Sequence, residues 1–178
     1  MVITINWGND LMRAMEISGA WGLENIQPVT RPEPEAGPGE VVIGIKAISI
    51  NPRDRVVAMG GYGRHATLPL VPLCDGAGTI VDVGPGVSNL IEGELVCPIY
   101  SRTWLHGTIS RDSYPGAHGM ALDGTTQELF VIPAEAVVRA PKHLTAPEAA
   151  ALPCAAVQPS PRGMPSSNRV RSAPITVF

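Results

Sequence analysis

The sequence lacks the patterns that mark several protein classes. Charged residues make up only 16% of the 178 positions, aromatic residues 4%, and the net charge is −3. This mild acidity does not suit a nucleic-acid binder, because phosphate contacts need clustered Lys and Arg. No window approaches the ~20 consecutive apolar residues of a membrane span, and the N-terminus has no basic start followed by an apolar run. We therefore expect a cytoplasmic protein that binds neither nucleic acid nor membrane.

Cysteine is scarce as well. The three cysteines, Cys74, Cys97 and Cys154, are odd in number, and no pair has the C-x-x-C spacing. A disulfide framework or a structural zinc site is therefore a poor interpretation of these positions. We expect free thiols in a reducing compartment.

Apolar residues, glycine and proline are abundant. The apolar fraction is 44%, enough for a hydrophobic core, and 19 Gly with 18 Pro favour turns and short strands over long helices. A short strand is expected within 20–29, and clearer strands are predicted at 40–50, 78–84, 94–100, 126–133 and 136–141. Short strands at this spacing are typical of a sandwich or a barrel. The strand at 40–50 is apolar on both faces, which predicts burial on both.

Two capping signals predict short helices. Asn51 is a natural N-cap, Pro52 suits the first helical position, and Asp54 falls in the first turn. Thr145 and Glu148 have the spacing of a capping box at the start of a second helix.

The composition changes abruptly after Val157. Residues 158–178 contain four prolines and three arginines but no acidic residue, a composition typical of a disordered tail. Residues 1–11 show only a weak pattern. We therefore predict an N-terminal extension over 1–11, one domain over 12–157, and an unrelated tail over 158–178.

Three stretches, taken in order, resemble one family: GPGEVVIGIKAISINPRD, LPLVPLCDGAGTIVDVGPGVSNLIEGELV and DGTTQELFVIPAEAVVRAPKHLTAPEAAALPCAA. They are similar to the N-terminal, GroES-like domain of the medium-chain dehydrogenase/reductases, and most to the zinc-independent, quinone oxidoreductase-like branch. The resemblance covers about Met12 to Val157 and implies a mainly β fold, a partly open barrel with a few short helices. It also implies an oxidoreductase that uses NADPH or NADH to reduce a quinone, enone or carbonyl substrate.

The resemblance also implies two absences. The zinc-dependent branch places a cysteine at Asn51 and a histidine–glutamate pair at Cys74–Asp75, and its third ligand finds no counterpart here, so no zinc is expected. No G-x-G-x-x-G follows a strand, so the dinucleotide-binding Rossmann domain of complete members is missing. We expect the chain to be truncated before that domain and inactive alone.

The resemblance implies candidate site roles for three residues. Asn51 and Asp54 match positions near the nicotinamide, with helix capping as the alternative. Tyr62 matches an aromatic residue that flanks substrate and cofactor, with a loop tyrosine as the alternative. Asn51, Asp54 and Tyr62 are thus candidate catalytic residues, Asn51 and Tyr62 are candidate cofactor contacts, and no residue is assigned to a metal. His106 and His118 are expected to be solvated.

A non-catalytic β-domain is the alternative function. Without a cofactor domain, one face of the barrel would stay apolar and exposed, which would favour aggregation or association with an intact homologue.

Overall fold

Two antiparallel β-sheets form the framework of the domain in the computed structural model, which describes residues 11–106 and 115–155. The smaller sheet pairs β1 (Leu11–Ile17) with β2 (Ile26–Pro32). The larger sheet has the order β6-β3-β4-β5-β7 and consists of β3 (Glu40–Ser49), β4 (Asp75–Val83), β5 (Leu95–Pro98), β6 (Leu129–Pro133) and β7 (Val137–Arg139). The helices are α1 (Pro52–Ala58), α2 (Ala146–Ala150) and α3 (Leu152–Ala155), with single 3-10 turns at Leu23–Asn25, Gly63–His65 and Ala134–Ala136.

Neither sheet closes on itself within the described residues. The prediction of a mainly β, partly open architecture with a few short helices is therefore confirmed. The predicted tail at 158–178 lies outside the described residues, as do residues 1–10. None of the described helices has the length and apolar character needed to cross a membrane.

The main hydrophobic core lies against β3, β4 and β6. Val41 and Ile43 are fully buried and face the same side of β3, because alternate residues of a strand share a face. They pack with Ile80 of β4 and with Phe130 and Ile132 of β6. Burying each such side chain contributes about 1.5–3 kcal/mol, so this cluster is the main stabilising contact between these strands.

The smaller sheet is fixed to the rest of the domain along β1. The Met15 N–H donates to the Thr126 carbonyl at 2.8 Å, and the Ile17 N–H donates to the Leu70 carbonyl at 2.8 Å. An open groove of about 1000 Å³ remains beside this junction. Its walls include apolar residues of both sheets: Ala14, Met15, Val29, Ile45, Ala47 and Ile48.

Both predicted helix starts are confirmed. The Asp54 carboxylate accepts the Asn51 N–H at 2.8 Å, and α1 follows β3 after only two residues. At α2 the Glu148 carboxylate accepts the Thr145 N–H at 2.8 Å and the Thr145 hydroxyl at 2.7 Å. These bonds satisfy N-terminal donors that helices this short cannot satisfy internally.

Two strand predictions need correction. No strand was predicted at Leu11–Ile17, yet β1 occupies it and buries Met12, Ala14 and Ile17. Its segment, LMRAMEI, holds a single β-branched residue, so its strand signal is weak. The strand expected within 20–29 begins only at Ile26, because a 3-10 turn at Leu23–Asn25 precedes it.

The expected burial of both faces of β3 holds for only part of the strand. Residues 41–44 are buried on both faces, whereas Ile48 remains 43% exposed. The reason is the sheet order: β6 pairs with β3 only over Glu40 to Gly44. Beyond that point β3 has β4 on one side and opens towards the groove on the other.

Candidate functional site

Three segments distant in sequence meet at the Asp75 carboxylate. Asp75 is fully buried at the first position of β4. Its Oδ2 accepts the Asn51 side-chain amide N–H at 3.0 Å and the Cys154 backbone N–H at 3.0 Å. Its Oδ1 accepts the Cys74 S–H at 3.3 Å. Several donors around one carboxylate are what a buried acidic group requires, so Asp75 fixes the N-terminus of α1 and α3 to the start of β4.

Two of the cysteines lie against each other in this cluster. The Cys74 and Cys154 Sγ atoms are 3.4 Å apart. The pKa of the Cys74 thiol is raised, first by its hydrogen bond with the Cys154 thiol and then by its burial, while the positive charge of Arg53 opposes the shift. Cys74 is thus a neutral thiol at ordinary pH.

Asp54 acts on Asn51 through the backbone. Its carboxylate is buried and accepts the Asn51 N–H, and the Arg53 Nη1 lies 3.4 Å from its other oxygen. Burial raises the pKa of Asp54, although the bond from the Asn51 backbone and the charge of Arg53 work against the rise. Asn51 is therefore held at both ends, by Asp54 at its backbone and by Asp75 at its amide.

Arg53 adds a buried positive charge to the cluster around Asn51 and Asp75. Its side chain is only 14% exposed and its guanidinium carbon lies 4.9 Å from the centre of the Tyr100 ring. Nη1 donates to the His118 carbonyl at 3.3 Å, whereas Nε and Nη2 are buried with no hydrogen-bond partner. Donors buried in this way cost free energy unless an acceptor reaches them.

His118 is buried, which corrects the expectation that it is solvated. It is 3% exposed, and its Nδ1 lies 3.2 Å from the Asp123 carbonyl, which makes Nδ1 the protonated nitrogen. Its ring meets Phe130 edge to face at 5.1 Å. Burial lowers the pKa of His118 to about 4, so the imidazole is neutral at physiological pH. His106 is exposed, as expected.

The structure brings together two of the three predicted site residues. Asn51 and Asp54 lie in one hydrogen-bonded cluster. Tyr62 lies beyond the other end of α1, half-buried against an apolar cluster that includes Val57 and Met120. Its ring therefore has a packing role, and its predicted contact with substrate or cofactor stays a prediction.

The prediction from sequence did not identify Arg53, Tyr100 or Cys154. Arg53 stands within the quoted INPRD stretch, but nothing in that stretch shows that its guanidinium is buried. Cys154 is 80 residues from Cys74, so only the packing of α3 beside β4 reveals their contact. Aromatic residues are few, and the pairing of Tyr100 with a guanidinium has no local sequence signal.

One group of three metal-ligating side chains occurs in the part of the chain that the structure describes. Its ligand atoms, from Cys74, Asp75 and Cys154, all lie within 4.8 Å of one another. Three such ligands are enough in number for zinc, whereas the sequence analysis found no counterpart for the third ligand of the zinc-dependent branch. In this arrangement the Asp75 oxygens accept hydrogen bonds from Asn51, Cys74 and Cys154, and the Arg53 cation acts on Cys74.

Comparison with known proteins agrees with this architecture. The sequence profile of the alcohol dehydrogenase GroES-like domain matches residues 37–142. A zinc-type alcohol dehydrogenase-like protein of Schizosaccharomyces pombe is 39% identical over 76% of this chain and 40% of its own length. A chloroplast envelope quinone oxidoreductase homolog of Arabidopsis thaliana is 32% identical over 82% of this chain and 40% of its own length. The chain thus spans about 40% of these curated relatives.

A solved structure shows the same fold with metal present. The cobalt- and zinc-bound thermostable alcohol dehydrogenase from Pyrobaculum aerophilum superposes with a TM-score of 0.68 and 32% sequence identity. The superposition covers 80% of this chain and 45% of that one. The two sheets and their connections are therefore those of a domain found within larger chains.

Proposed function

Because this chain belongs to the alcohol dehydrogenase GroES-like domain family, we propose that it is the catalytic-domain part of an NADPH- or NADH-dependent oxidoreductase. The proposed substrates are small quinones, enones or carbonyl compounds, and the descriptions of the relatives as alcohol dehydrogenase-like and quinone oxidoreductase proteins support this choice. One observation carries the proposal: the Asn51 amide is fixed by the buried Asp75 carboxylate at the start of α1. The family resemblance puts the nicotinamide near that position.

In this proposal the residues around Asn51 orient and shield rather than react. Asp54 and Asp75 hold Asn51 against the cleft, and Tyr62 flanks the substrate from the far end of α1. The dinucleotide supplies the hydride when it is bound, so the protein needs to provide position and a suitable charge distribution. A strong acid–base pair is not required for that role.

Zinc has no part in the proposed chemistry. The place of a metal-bound thiolate at residue 51 is taken by an amide whose N–H points at Asp75. The Asp75 carboxylate already accepts three hydrogen bonds from donors of the protein itself. The buried Arg53 cation already acts on the Cys74 thiol, and it would repel a second cation there.

The 178 residues alone are proposed to be inactive. Dinucleotide affinity in this family comes mainly from contacts of the pyrophosphate with a G-x-G-x-x-G turn and a helix N-terminus. That motif does not occur in the sequence. The free state of all three cysteines is in keeping with a reducing compartment such as the cytoplasm.

The test measures NADPH oxidation with a simple quinone, with 2-cyclohexenone and with a simple aldehyde. We expect no rate above buffer for the chain alone and a clear rate for a chimaera in which residues 11–155 precede the part of the S. pombe relative that this chain does not match. In the chimaera, Asn51→Ala should lower kcat/KM about 10-fold or more, because the cleft no longer holds cofactor and substrate in the orientation that hydride transfer needs. Glu135→Ala, on an exposed turn, is the matched control and should change nothing.

Two results would contradict the proposal. Tight NADPH binding by the chain alone in calorimetry would show that the claim of inactivity is wrong. A folded chimaera that binds NADPH but reduces none of the three substrate classes would show that the oxidoreductase assignment is wrong. The alternative, a non-catalytic β-domain that associates with an intact homologue, draws support from the apolar walls of the groove. Co-elution of the two chains in size-exclusion chromatography, together with an inactive chimaera, would favour it.

A further inference from the structure

Cys74 and Cys154 are the closest pair of thiols that the structure describes. Their sulfurs are 3.4 Å apart, whereas a disulfide bond measures about 2.05 Å. A movement of roughly 1.4 Å would therefore join them. Cys154 is carried by α3, a four-residue helix without a buried residue, so this movement disturbs little packing.

The two thiols differ in access to solvent. Cys74 is fully buried, whereas Cys154 is half-buried and lies next to an exposed residue, Ala155. A small oxidant such as a peroxide therefore reaches Cys154 first. Cys74, directly behind it, is placed to act as the resolving thiol.

The proton of the resolving thiol already has an acceptor. The Cys74 S–H points at the Asp75 Oδ1 at 3.3 Å. The resolving step needs the Cys74 sulfur to lose its proton while it attacks Cys154. Asp75 can take that proton and pass it to the departing hydroxide, and the nearby Arg53 cation favours the thiolate that forms on the way.

We propose that Cys74 and Cys154 form a redox modification site, in which hydrogen peroxide converts the two thiols into an intramolecular disulfide. In the first step the Cys154 sulfur takes one oxygen from the peroxide, giving a sulfenic acid and one water. In the second step the Cys74 sulfur attacks the Cys154 sulfur, the S–S bond forms, and the hydroxide leaves as a second water. Two thiols are oxidised and one peroxide is reduced, so that the atoms and electrons balance.

The bond would act on the proposed hydride-transfer cleft through Asp75. Both cysteines donate to the same carboxylate that holds Asn51, and the Cys74 donor disappears when the disulfide forms. The modification itself does not depend on the proposed function, because it uses only the two thiols and the oxidant.

The third cysteine is a built-in control. Cys97 is buried, and its thiol donates to the Ala149 carbonyl at 3.4 Å. Burial raises the pKa of Cys97 to about 11, which keeps it a thiol. It should therefore remain reduced under conditions that oxidise the pair.

The experiment treats the purified full chain, freed of metal by a chelator, with hydrogen peroxide and then blocks remaining thiols with N-ethylmaleimide. Digestion with trypsin followed by Glu-C separates Cys74, in peptide 65–92, from Cys97, in peptide 95–102. We expect two of the three thiols to escape labelling, with the Cys74 and Cys154 peptides joined and lighter by about 2 Da. A reducing dithiol should restore all three thiols.

Two variants keep the proposal falsifiable. In Cys74→Ser, Cys154 should be oxidised without forming an internal disulfide and should be trapped by dimedone as a sulfenic acid. In Cys97→Ser the disulfide should form at the wild-type rate. The proposal is wrong if the mature bond joins Cys97 to Cys154, if all three thiols are labelled alike after peroxide, or if oxidation yields only disulfides between chains.

Discussion

Asp75 is the residue on which the candidate site depends. One buried carboxylate receives hydrogen bonds from Asn51, Cys74 and Cys154, and its own carbonyl accepts the Thr125 hydroxyl at 3.0 Å. Removing a shared acceptor is costly because every donor loses its partner at once, away from water.

The Asp75→Ala variant should lower the free energy of unfolding by about 3–5 kcal/mol, because three donors are left without an acceptor and a cavity forms. Asp75→Asn should cost less, about 1–2 kcal/mol, since one oxygen remains to accept. Urea unfolding followed by circular dichroism measures both. Asp82→Ala is the matched control on the same strand: its carboxylate accepts one N–H, from Ala36, so about 1 kcal/mol is expected. Equal losses at the two positions would contradict the central role of Asp75.

His118 predicts a pH dependence of stability. Its folded pKa, about 4, lies below the ordinary value of 6.5 because the ring is buried. Below pH 6.5 His118 therefore binds a proton in the unfolded chain but not in the folded chain, and the free energy of unfolding falls until the pH reaches about 4. Between pH 7.5 and pH 5 we expect His118 to account for a loss of about 2 kcal/mol.

The measurement compares urea unfolding at the two pH values in wild type and in His118→Gln, which should lack that part of the loss. The exposed residue His143 gives the control, His143→Gln, in which the loss should persist. The assignment would fail if His118→Gln and wild type lost the same amount on acidification.

At the scale of elements, the close approach of β3 and β4 depends on a glycine. A Cβ atom at Gly78 would lie 2.2 Å from the Gly44 carbonyl oxygen of β3. The pairing shifts register just there, between Ile45 and Ala47. The two strands can keep this irregular contact only because Gly78 has no side chain.

The Gly78→Ala variant should therefore be destabilised by about 2–3 kcal/mol, since backbone must move to admit the methyl group. Gly93→Ala is the control: that glycine has φ +84 but nothing within 4 Å of its added Cβ, so strain alone should cost about 1 kcal/mol. Thermal unfolding of the two variants beside wild type makes the comparison. A loss at Gly78 no larger than that at Gly93 would mean that β3 and β4 separate easily.

At the scale of the whole molecule, the strands of the larger sheet and both helix caps were predictable from the sequence. The β-branched run of β3 and the Asn51–Asp54 and Thr145–Glu148 pairs are local signals. β1 was not predictable because its segment holds a single β-branched residue. The contacts that fix it to the rest of the domain, with Thr126 and Leu70, lie far along the chain.

The candidate site was predictable only in part, for the same reason. Asn51 and Asp54 were identified by their place in the family-like INPRD stretch. The burial of Arg53 and His118 and the contact of Cys74 with Cys154 arise from packing between distant segments. Contacts between distant segments follow no hydrophobic period and no sequence motif, so the sequence alone does not reveal them.

The sheet order also fixes when the domain can be completed during synthesis. β3 can pair on its outer edge only after β6 has been synthesised. Arg13 of β1 likewise contacts Glu128, which lies 115 residues further along the chain. Contacts this distant along the chain slow folding. On the ribosome the edge of β1 that meets residues 126–128 and the edge of β3 that meets β6 therefore stay unpaired until nearly the whole domain has emerged. During that interval these edges are open to pairing with strands of other chains.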